Sequence, residues 1–409
     1  MNGLKNIHVK IAHNALADNQ FSKALVHLVL ATNSEENDYE ALQLLAHTRI
    51  MLGHEKIKKN KIGFLATCQM HIDQYYNIWK HLTVDTFEII LHNDTSFPPE
   101  RYYFPTRNYL AERNLPFVEL ADCFRNLTTY KVIMTAGFVQ AVFPEVEYAF
   151  TLAAQYIRVL SQGFQEFHFG FINKFTHLFL QGYNQVEQVR GIGFKGEIYV
   201  IGYPRFDNYF ELTSINAKQS LITLLNLDRE KETILYTPTH SLHTSLWYYY
   251  EDIISLVARY NMILKPHLDS FSDEKEAGVI QRMKKGGVHV ISSSLENSLL
   301  YKAADYVLAD YGGSVLSAIY LGKKTILLNS STDLHAMLPC PSSEMVRQLT
   351  PNIYPSDNSY HELLAALRST NWDDYATKNA VLKRYFFASF DGISGKTASI
   401  VLLNLLERS

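Results

Sequence analysis

The spacing of apolar positions divides the chain into two parts. Through residues 5–57, apolar side chains recur every three or four residues, the period of helices packed along one face. Three helices are predicted, at "IHVKIAHNALADNQ", "FSKALVHLVLAT" and "NDYEALQLLAHTRIMLG", with Asn37 or Asp38 capping the third and Gly53 ending it. The basic segment "HEKIKKNK" at 54–61 then predicts a solvated linker. We therefore expect a small helical region over residues 1–58.

From residue 61 the pattern becomes short apolar runs separated by helical segments. The runs are "KIGFLA", "FEIIL", "PFVEL", "KVIMTA", "THLFLQ" and "EIYVIG", followed by "ETILYTP", "NMILKP", "VHVIS", "YVLAD" and "KTILLN". This alternation predicts parallel sheets with crossover helices. We expect an α/β fold with two Rossmann-like domains facing a cleft, at 61–201 and 202–385, and a C-terminal helix at 386–409.

Composition narrows the class of protein. The net charge is −3 and no broad basic surface is expected, so nucleic acid is not a predicted partner. The three cysteines lack zinc spacing, which favours a reducing cytoplasm, and the N-terminus lacks the layout of a signal peptide. No stretch approaches the ~18 apolar residues of a spanning helix, so we expect a soluble protein, at most peripheral to a membrane.

Two common nucleotide motifs are missing. "KIGFLATCQM", the first predicted strand and its continuation, holds one glycine where a dinucleotide-binding turn needs a G-x-G-x-x-G pattern. No Walker A sequence is present either. These two observations disfavour a dinucleotide-dependent dehydrogenase and exclude a P-loop phosphotransferase.

Four clusters of polar residues follow predicted strands or join the two halves, where ligands of open α/β sheets bind. They are Thr237, Pro238, Thr239, His240 and His243 in "YTPTHSLHTS", Lys265 and His267 in "LKPHLDS", Asp310, Tyr311, Gly312, Gly313 and Ser314 in "DYGGS", and Arg205 in "GYPRFD". Hydroxyls and imidazoles can donate to a phosphate or move a proton. A glycine turn opening a helix suits an anion, and an arginine can clamp one.

Each cluster also has a purely structural interpretation. The first is a turn with a capping threonine, and the third is a strand-to-helix turn with Ser314 as N-cap. Arg205 can instead pair with Asp207 and hold a hinge between domains. A single strand-end histidine is usually structural, but Lys265 beside His267 makes a compact cationic pair.

Taken in order, the clusters resemble a known family. "VIGYPRFDNYF", "ILYTPTH", "ILKPH" and "ADYVLADYGGSVLSAIYLGKKTILL" occur in the order and rough spacing of the CDP-glycerol glycerophosphotransferase family, whose members make teichoic acids and capsules. The family's elements are "GYPRND", "APTW", "KLHP" or "KPHP", and "DYSS" or "DYGGS". The resemblance covers roughly residues 130–330.

The resemblance implies a GT-B fold and a metal-independent, cofactor-free transfer. An acceptor hydroxyl of a polymer or lipid-linked acceptor attacks the β-phosphate of a CDP-activated polyol, and CMP leaves. The residues it assigns to the donor phosphates and nucleotide are Arg205, Thr239, Lys265, His267, Gly312, Gly313 and Ser314, with Asp310 and Tyr311 in the same turn. His267 is the expected stabiliser of the leaving group.

The chain departs from the family in two places. The family's "WHGTPLK" loop carries a histidine proposed as the base, whereas this chain has "MTAGFVQ" at 134–140, with Gly137 kept and Ala136 at the histidine position. The "APTWR" loop becomes "TPTH", which loses the Trp-Arg pair. His240 or His243 then becomes the candidate base.

Three functions stay open from the sequence. The first is a glycerophosphotransferase-like enzyme of cell-surface polymer synthesis, placed in the cytoplasm or at the inner face of the membrane. The second is a GT-B glycosyltransferase using a UDP- or CMP-sugar, which the missing histidine favours. The third is a non-catalytic scaffold, against which the joint presence of Lys265, His267 and the glycine turn argues.

Overall fold

The structure, a computed structural model, describes most of the chain and divides it into two compact units. The described residues are 2–32, 38–93, 98–136, 147–151, 172–173, 175–241, 244–292, 295–310, 312–330, 341–388 and 391–408. Those within 1–151, 175–178 and 398–409 form the first unit, and those within 152–174 and 179–397 form the second.

The first unit begins with the predicted helices, α1 (Asn2–Ala17), α2 (Phe21–Thr32) and α3 (Tyr39–Met51). Asp38 caps α3 by accepting a hydrogen bond from the Ala41 amide, and Gly53 ends it with a positive φ of 85°. These two predictions are confirmed. The linker prediction is wrong, because the first strand already starts at Ile57.

The rest of the first unit is a parallel sheet with helices between its strands. Its elements are β1 (Ile57–Ala66), α4 (Gln69–Trp79), β2 (Phe87–Leu91), α5 (Tyr103–Glu112), β3 (Phe117–Glu119), α6 (Leu120–Arg125), β4 (Thr128–Thr135) and β5 (Glu147–Thr151). These five strands run in the order β3-β2-β1-β4-β5, and every pairing between them is parallel. The sequence missed β5.

Next along the chain come β6 (His177–Leu180), α7 (Tyr183–Gly191), β7 (Glu197–Val200), α8 (Asp207–Glu211) and α9 (Ser214–Leu225). The second sheet follows, with β8 (Thr233–Thr237), α10 (Leu246–Leu256), β9 (Asn261–Leu264), α11 (Glu274–Lys285), β10 (His289–Val290), α12 (Asn297–Ala303), β11 (Tyr306–Ala309), α13 (Gly313–Tyr320), β12 (Lys324–Leu328), α14 (Pro341–Leu349) and β13 (Asn352–Ile353). Helices α15 (Ser359–Ser369), α16 (Trp372–Phe386) and α17 (Ser394–Glu407) end the chain.

The second sheet is buried on both faces, which explains why its strands read as continuous apolar runs. Alternate residues of a strand point to opposite faces. In β8, Ile234 and Tyr236 pack into one core cluster, while Leu235 packs into the other. Strands β8, β9, β11 and β12 therefore each contribute to two hydrophobic layers, one on either side of the sheet.

The order of the second sheet, β10-β9-β8-β11-β12-β13, places the candidate clusters together. All of its pairings are parallel, so the carboxyl ends of its strands share one edge. From β8 the chain moves outward to β9 and β10, then returns to the other side of β8 as β11. Ligands of open α/β sheets bind at such a reversal. The fold therefore brings the segments after β8, β9 and β11 to one place.

Candidate active site

The segment after β8 is held by a buried carboxylate from the segment after β11. Asp310 is only 1% exposed. Its carboxylate accepts hydrogen bonds from the Thr239 amide at 2.8 Å, from the Ser245 amide at 2.9 Å and from the Ser245 hydroxyl at 2.9 Å. Burial, with the Asp310 charge as the next cause, raises the pKa of Tyr236 well above its usual value. Asp310 thus connects the segment after β11 to the segment after β8 by buried hydrogen bonds.

A second buried carboxylate holds the same loop at its tip. Glu276 of α11 is 1% exposed and accepts a hydrogen bond from the Ser241 amide at 2.6 Å. Ser241 has a φ of 64°, a left-handed conformation that costs a non-glycine residue energy. Since both carboxylates bind main-chain amides, the backbone around His240 is fixed from two sides.

His240 and His267 come together at this edge. Their ring centroids lie 4.1 Å apart with an angle of 27° between the planes, which is a stacked pair. Asp269 lies beside both: its Oδ2 is 3.9 Å from His240 Nε2 and 3.7 Å from His267 Nδ1. All three side chains are partly exposed, so a ligand can reach them.

The ligand atoms of this trio lie within 4.8 Å of one another, the spacing of a metal-binding group. The stacking fits a single ion poorly, however, because an ion must lie close to the plane of each imidazole that binds it. Two nearly parallel rings 4.1 Å apart do not share such a point. His267 Nδ1 also already accepts a hydrogen bond from the Asp269 amide at 3.2 Å. We therefore interpret the trio as proton-transfer chemistry.

The glycine turn forms the start of α13. Gly312 is the N-cap, and no side chain caps the helix. The expectation that Ser314 is the N-cap is therefore wrong. Gly312 has a φ of −141°, which is extended backbone that any residue adopts, so the turn itself does not require glycine. The free amides and the dipole of a helix start favour an anion.

Arg205 belongs to the same neighbourhood through Tyr301. The Tyr301 hydroxyl donates to the Ser314 carbonyl at 3.2 Å. Burial raises the pKa of Tyr301 to about 12, while a hydrogen bond with Thr237 and the charge of Arg205 act in the opposite direction. Arg205, the end of β8 and the start of α13 therefore surround one tyrosine.

Asp207 has a separate structural role. It is fully buried and accepts hydrogen bonds from the amides of Ser394 at 3.3 Å and Gly395 at 2.6 Å, at the start of α17. A carboxylate at a helix start satisfies free amides and complements the dipole. This accounts for the aspartate in "GYPRFD".

The structure describes nine of the twelve predicted site residues. Gly137, His243 and Tyr311 lie outside the described residues. Lys265 follows β9 directly, with its amide donating to the Tyr236 carbonyl at 2.9 Å, and Thr239, His240, His267, Asp310, Gly312, Gly313 and Ser314 share its edge of the sheet. The roles of these residues toward a ligand stay predictions.

Sequence reasoning missed several residues that build the site. They are Ser241, Ser245, Asp269, Glu276 and Tyr301. Asp269 lies two positions after His267 in "KPHLDS", so its acidic side chain was a readable signal. Glu276 and Tyr301 come from helices distant in sequence, and nothing in their local pattern marks them.

At the departure in the first unit, Ala136 is buried and its amide donates a hydrogen bond to the Tyr75 hydroxyl at 2.6 Å. That hydroxyl donates in turn to the Leu65 carbonyl at 2.7 Å. The end of β4 is therefore tied into the unit's own core. No imidazole is present at this position of the chain.

Within the ranges that the structure describes, no helix combines the length and the apolar composition that crossing a bilayer demands.

Comparison with known proteins supports the expected class. A family model described as CDP-Glycerol:Poly(glycerophosphate) glycerophosphotransferase matches residues 185–321. The structure of the wall teichoic acid polymerase TagF, a histidine variant soaked with CDPG, aligns at a TM-score of 0.63 and 14% identity, over 100% of this chain and 98% of that one. None of the curated protein sequences compared matches this chain.

Two further solved structures share the fold. UDP-GlcNAc 2-epimerase from Neisseria meningitidis, bound to UDP-GlcNAc, aligns at a TM-score of 0.55 and 11% identity, over 84% of this chain and 100% of its own. Another UDP-N-acetylglucosamine 2-epimerase reaches 0.56 at 12% identity, over 87% and 98%. The expected GT-B class, with two Rossmann-like units, is confirmed. The family model covers residues 185–321, which hold Arg205, Thr239, His267 and the glycine turn, and this match supports a transferase.

Proposed function

We propose that the protein transfers a glycerol-phosphate or similar polyol-phosphate group from a CDP-activated donor to an acceptor hydroxyl during cell-surface polymer synthesis. The observation that supports this most is the shared edge of the second sheet. There the stacked His240 and His267, the cationic Lys265 and the uncapped start of α13 lie within one family-matched segment.

The reaction breaks one phosphoanhydride bond and forms one phosphodiester. The acceptor oxygen attacks the β-phosphorus of the donor, and the bond from that phosphorus to the CMP oxygen breaks. The acceptor's proton passes to a base, and CMP leaves with the electron pair. Phosphoryl transfer depends mainly on positioning and on stabilising charge.

The edge of the second sheet offers groups for each task. Lys265, Arg205 and the amides at the start of α13 suit the negative pyrophosphate. His267 suits the leaving CMP, and His240 suits the acceptor's proton. In this proposal the protein's own cations and amides neutralise the pyrophosphate, so the transfer does not require a metal ion.

The proposal also covers location and partners. A CDP-activated donor is held on the cytoplasmic side, and a polymer or lipid-linked acceptor brings the enzyme to the inner face of the membrane. The structurally similar TagF is a wall teichoic acid polymerase, and one of its variants was soaked with CDPG, which suits this choice of donor and acceptor.

A glycosyltransferase with a UDP- or CMP-sugar donor is the second candidate. The observation favouring it is Ala136, which occupies the place of the family's histidine and whose amide is already bonded to Tyr75. A family enzyme without that base either uses another histidine or transfers another group.

The test is turnover by the purified protein. CDP-glycerol and a polyol-phosphate acceptor are incubated with it in the presence of EDTA, and nucleotide products are separated by chromatography. We expect CMP in proportion to acceptor extended. If CDP-glycerol gives no CMP while a nucleotide sugar releases UDP or CMP, the second candidate replaces the proposal.

A further inference from the structure

Asp269, which lies outside the family's motifs, faces both histidines of the candidate site. Its Oδ2 is 3.7 Å from His267 Nδ1 and 3.9 Å from His240 Nε2, and its side chain is 14% exposed, less than either imidazole. We propose that Asp269 is a positioning residue that gives the two histidines different roles. This inference rests on the proposed function: His267 donates a hydrogen bond from Nε2, and His240 takes up the acceptor's proton.

The backbone of Asp269 fixes the proton on His267. Its N–H donates to His267 Nδ1 at 3.2 Å, so the imidazole caps the short 3-10 turn Leu268–Phe271. A ring nitrogen that accepts a hydrogen bond carries no proton, and the neutral ring then holds its proton on Nε2. His267 is thereby a fixed donor. A donor stabilises an oxygen that gains negative charge, which the CMP leaving group does.

The side chain of Asp269 acts on the other ring. Its carboxylate faces His240 Nε2, while His240 Nδ1 lies 2.9 Å from the Ser241 hydroxyl oxygen. A carboxylate favours the proton on a nitrogen that faces it and stabilises the imidazolium when the ring is charged. At His267 the Asp269 amide already donates to Nδ1, so the carboxylate has this effect on His240 Nε2. His240 Nδ1 is then the basic nitrogen. The acceptor's proton enters the ring at Nδ1, at the side where the Ser241 hydroxyl lies.

The stacking explains why the roles have to differ. With ring centroids 4.1 Å apart, two imidazolium charges would repel each other strongly. One positive ring beside one carboxylate is neutral overall. Because the Asp269 amide donates to His267 Nδ1, protonating His267 at that nitrogen would break a hydrogen bond. His240 is therefore the ring that takes up the acceptor's proton.

The loop geometry keeps this division in place. His240 lies between Thr239, whose amide Asp310 accepts, and Ser241, whose amide Glu276 accepts. Both carboxylates are buried and come from other elements of the second unit. The ring of His240 is thus presented to Asp269 by a loop whose backbone is fixed on either side.

The decisive variant is Asp269→Asn, which keeps the side chain's shape and the backbone N–H but removes the charge. Glu274→Gln is the matched control, since it removes one negative charge at the exposed start of α11. We expect kcat with CDP-glycerol to fall about 10- to 100-fold in D269N, with the donor KM within about threefold of wild type. E274Q should keep both values. A kcat for D269N within twofold of wild type overturns the inference.

A spectroscopic measurement tests the same inference without turnover. Nitrogen-15 shifts of the imidazoles, recorded at alkaline pH where the rings are neutral, report which nitrogen bears the proton. In wild type we expect the Nε2–H form for both histidines. In D269N, His240 should shift toward the Nδ1–H form while His267 stays unchanged, because its partner is a backbone amide.

An unchanged His240 spectrum in D269N, with the variant melting at the same temperature as wild type, contradicts the inference. Asp269→Glu, which retains the carboxylate, should recover the wild-type His240 form and most of kcat. If wild-type protein does not turn over CDP-glycerol, the proposed function fails, and the spectra alone still decide whether Asp269 sets the proton position on His240.

Discussion

Gly182 and Gly312 occupy equivalent places and have opposite surroundings. Each is the extended N-cap of a helix that no side chain caps, Gly182 for α7 and Gly312 for α13. A Cβ at Gly182 would lie 2.1 Å from the Phe386 carbonyl oxygen, whereas one at Gly312 would lie 3.4 Å from Thr239 Cβ, an ordinary contact. Packing within the chain thus requires the first glycine but not the second.

The hydrogen bonds around the two turns also differ. Near Gly182, the Gln181 amide donates to the Gln185 side chain at 2.7 Å, and the Gln181 carbonyl accepts from the Ala388 amide at 2.8 Å. That turn is bonded to its own helix and to a later segment. Near Gly312, the buried carboxylate of Asp310 binds the neighbouring loop instead of the helix start. At the second turn no side chain caps the start of α13.

The largest expected effect is a loss of stability when Gly182 is replaced. Replacement by alanine forces a methyl group against the backbone of Phe386, which cannot move aside as a side chain can. We expect Gly182→Ala to lower the free energy of unfolding by about 3 kcal/mol, measured by urea denaturation. Gly191→Ala is the control, because nothing lies within 4 Å of its Cβ position. Equal stability of the two variants would contradict the packing argument.

The next largest effect is expected on catalysis at the edge of the second sheet. His267→Ala removes the proposed donor to the leaving group, and kcat for CMP release should fall about 100-fold. His361→Ala, on the exposed surface of α15, is the control and should keep wild-type activity. Full activity of H267A would remove His267 from the mechanism whatever the substrate.

A smaller loss is expected from the carboxylate behind the second turn. Asp310→Asn keeps the shape of the side chain but replaces one acceptor oxygen with a donor amide, in a place where an amide and a hydroxyl donate. We expect a loss of about 2 kcal/mol in the free energy of unfolding, seen in urea melts. Asp357→Asn, which is exposed, should be neutral. A neutral D310N would show that the loop is held by other contacts.

The smallest effect on stability belongs to Gly312. Alanine fits there by contact distance, so Gly312→Ala should change the free energy of unfolding by less than about 0.5 kcal/mol. Its methyl group would nevertheless lie at the helix start, and the donor's dissociation constant should rise about tenfold. Calorimetric titration with CDP-glycerol measures this. Unchanged donor affinity would separate the glycine turn from the ligand.

Local pattern was enough to predict the scaffold. The apolar positions carry the helix and strand periods, so they predict α1 to α3, the Asp38 cap and the strands of both sheets except β5 and β13. The basic segment at 54–61 was not readable: its lysines resemble a linker, yet it pairs with β4 from Ile57 onward. Pairing of β1 with β4, which is distant in sequence, makes this basic segment a strand.

The site was predictable only in its motif residues. His240 and His267 were identified from strand ends, but their stacking depends on the order of β8 and β9 in the sheet. Asp269 and Glu276 were missed because their roles depend on partners that the fold brings close. The glycines of "DYGGS" stay a prediction as ligand contacts, and neither a positive φ nor close packing requires Gly312.

The edge shared by β8, β9 and β11 is the proposed site of the CDP-activated donor. Calorimetric titration of the wild-type protein and of Lys265→Ala with CDP-glycerol, in EDTA, tests it most directly. We predict saturable binding to wild type, at least about tenfold weaker binding to K265A, and no competition by UDP-N-acetylglucosamine. Absence of CDP-glycerol binding, or equal affinity in K265A, would contradict the account.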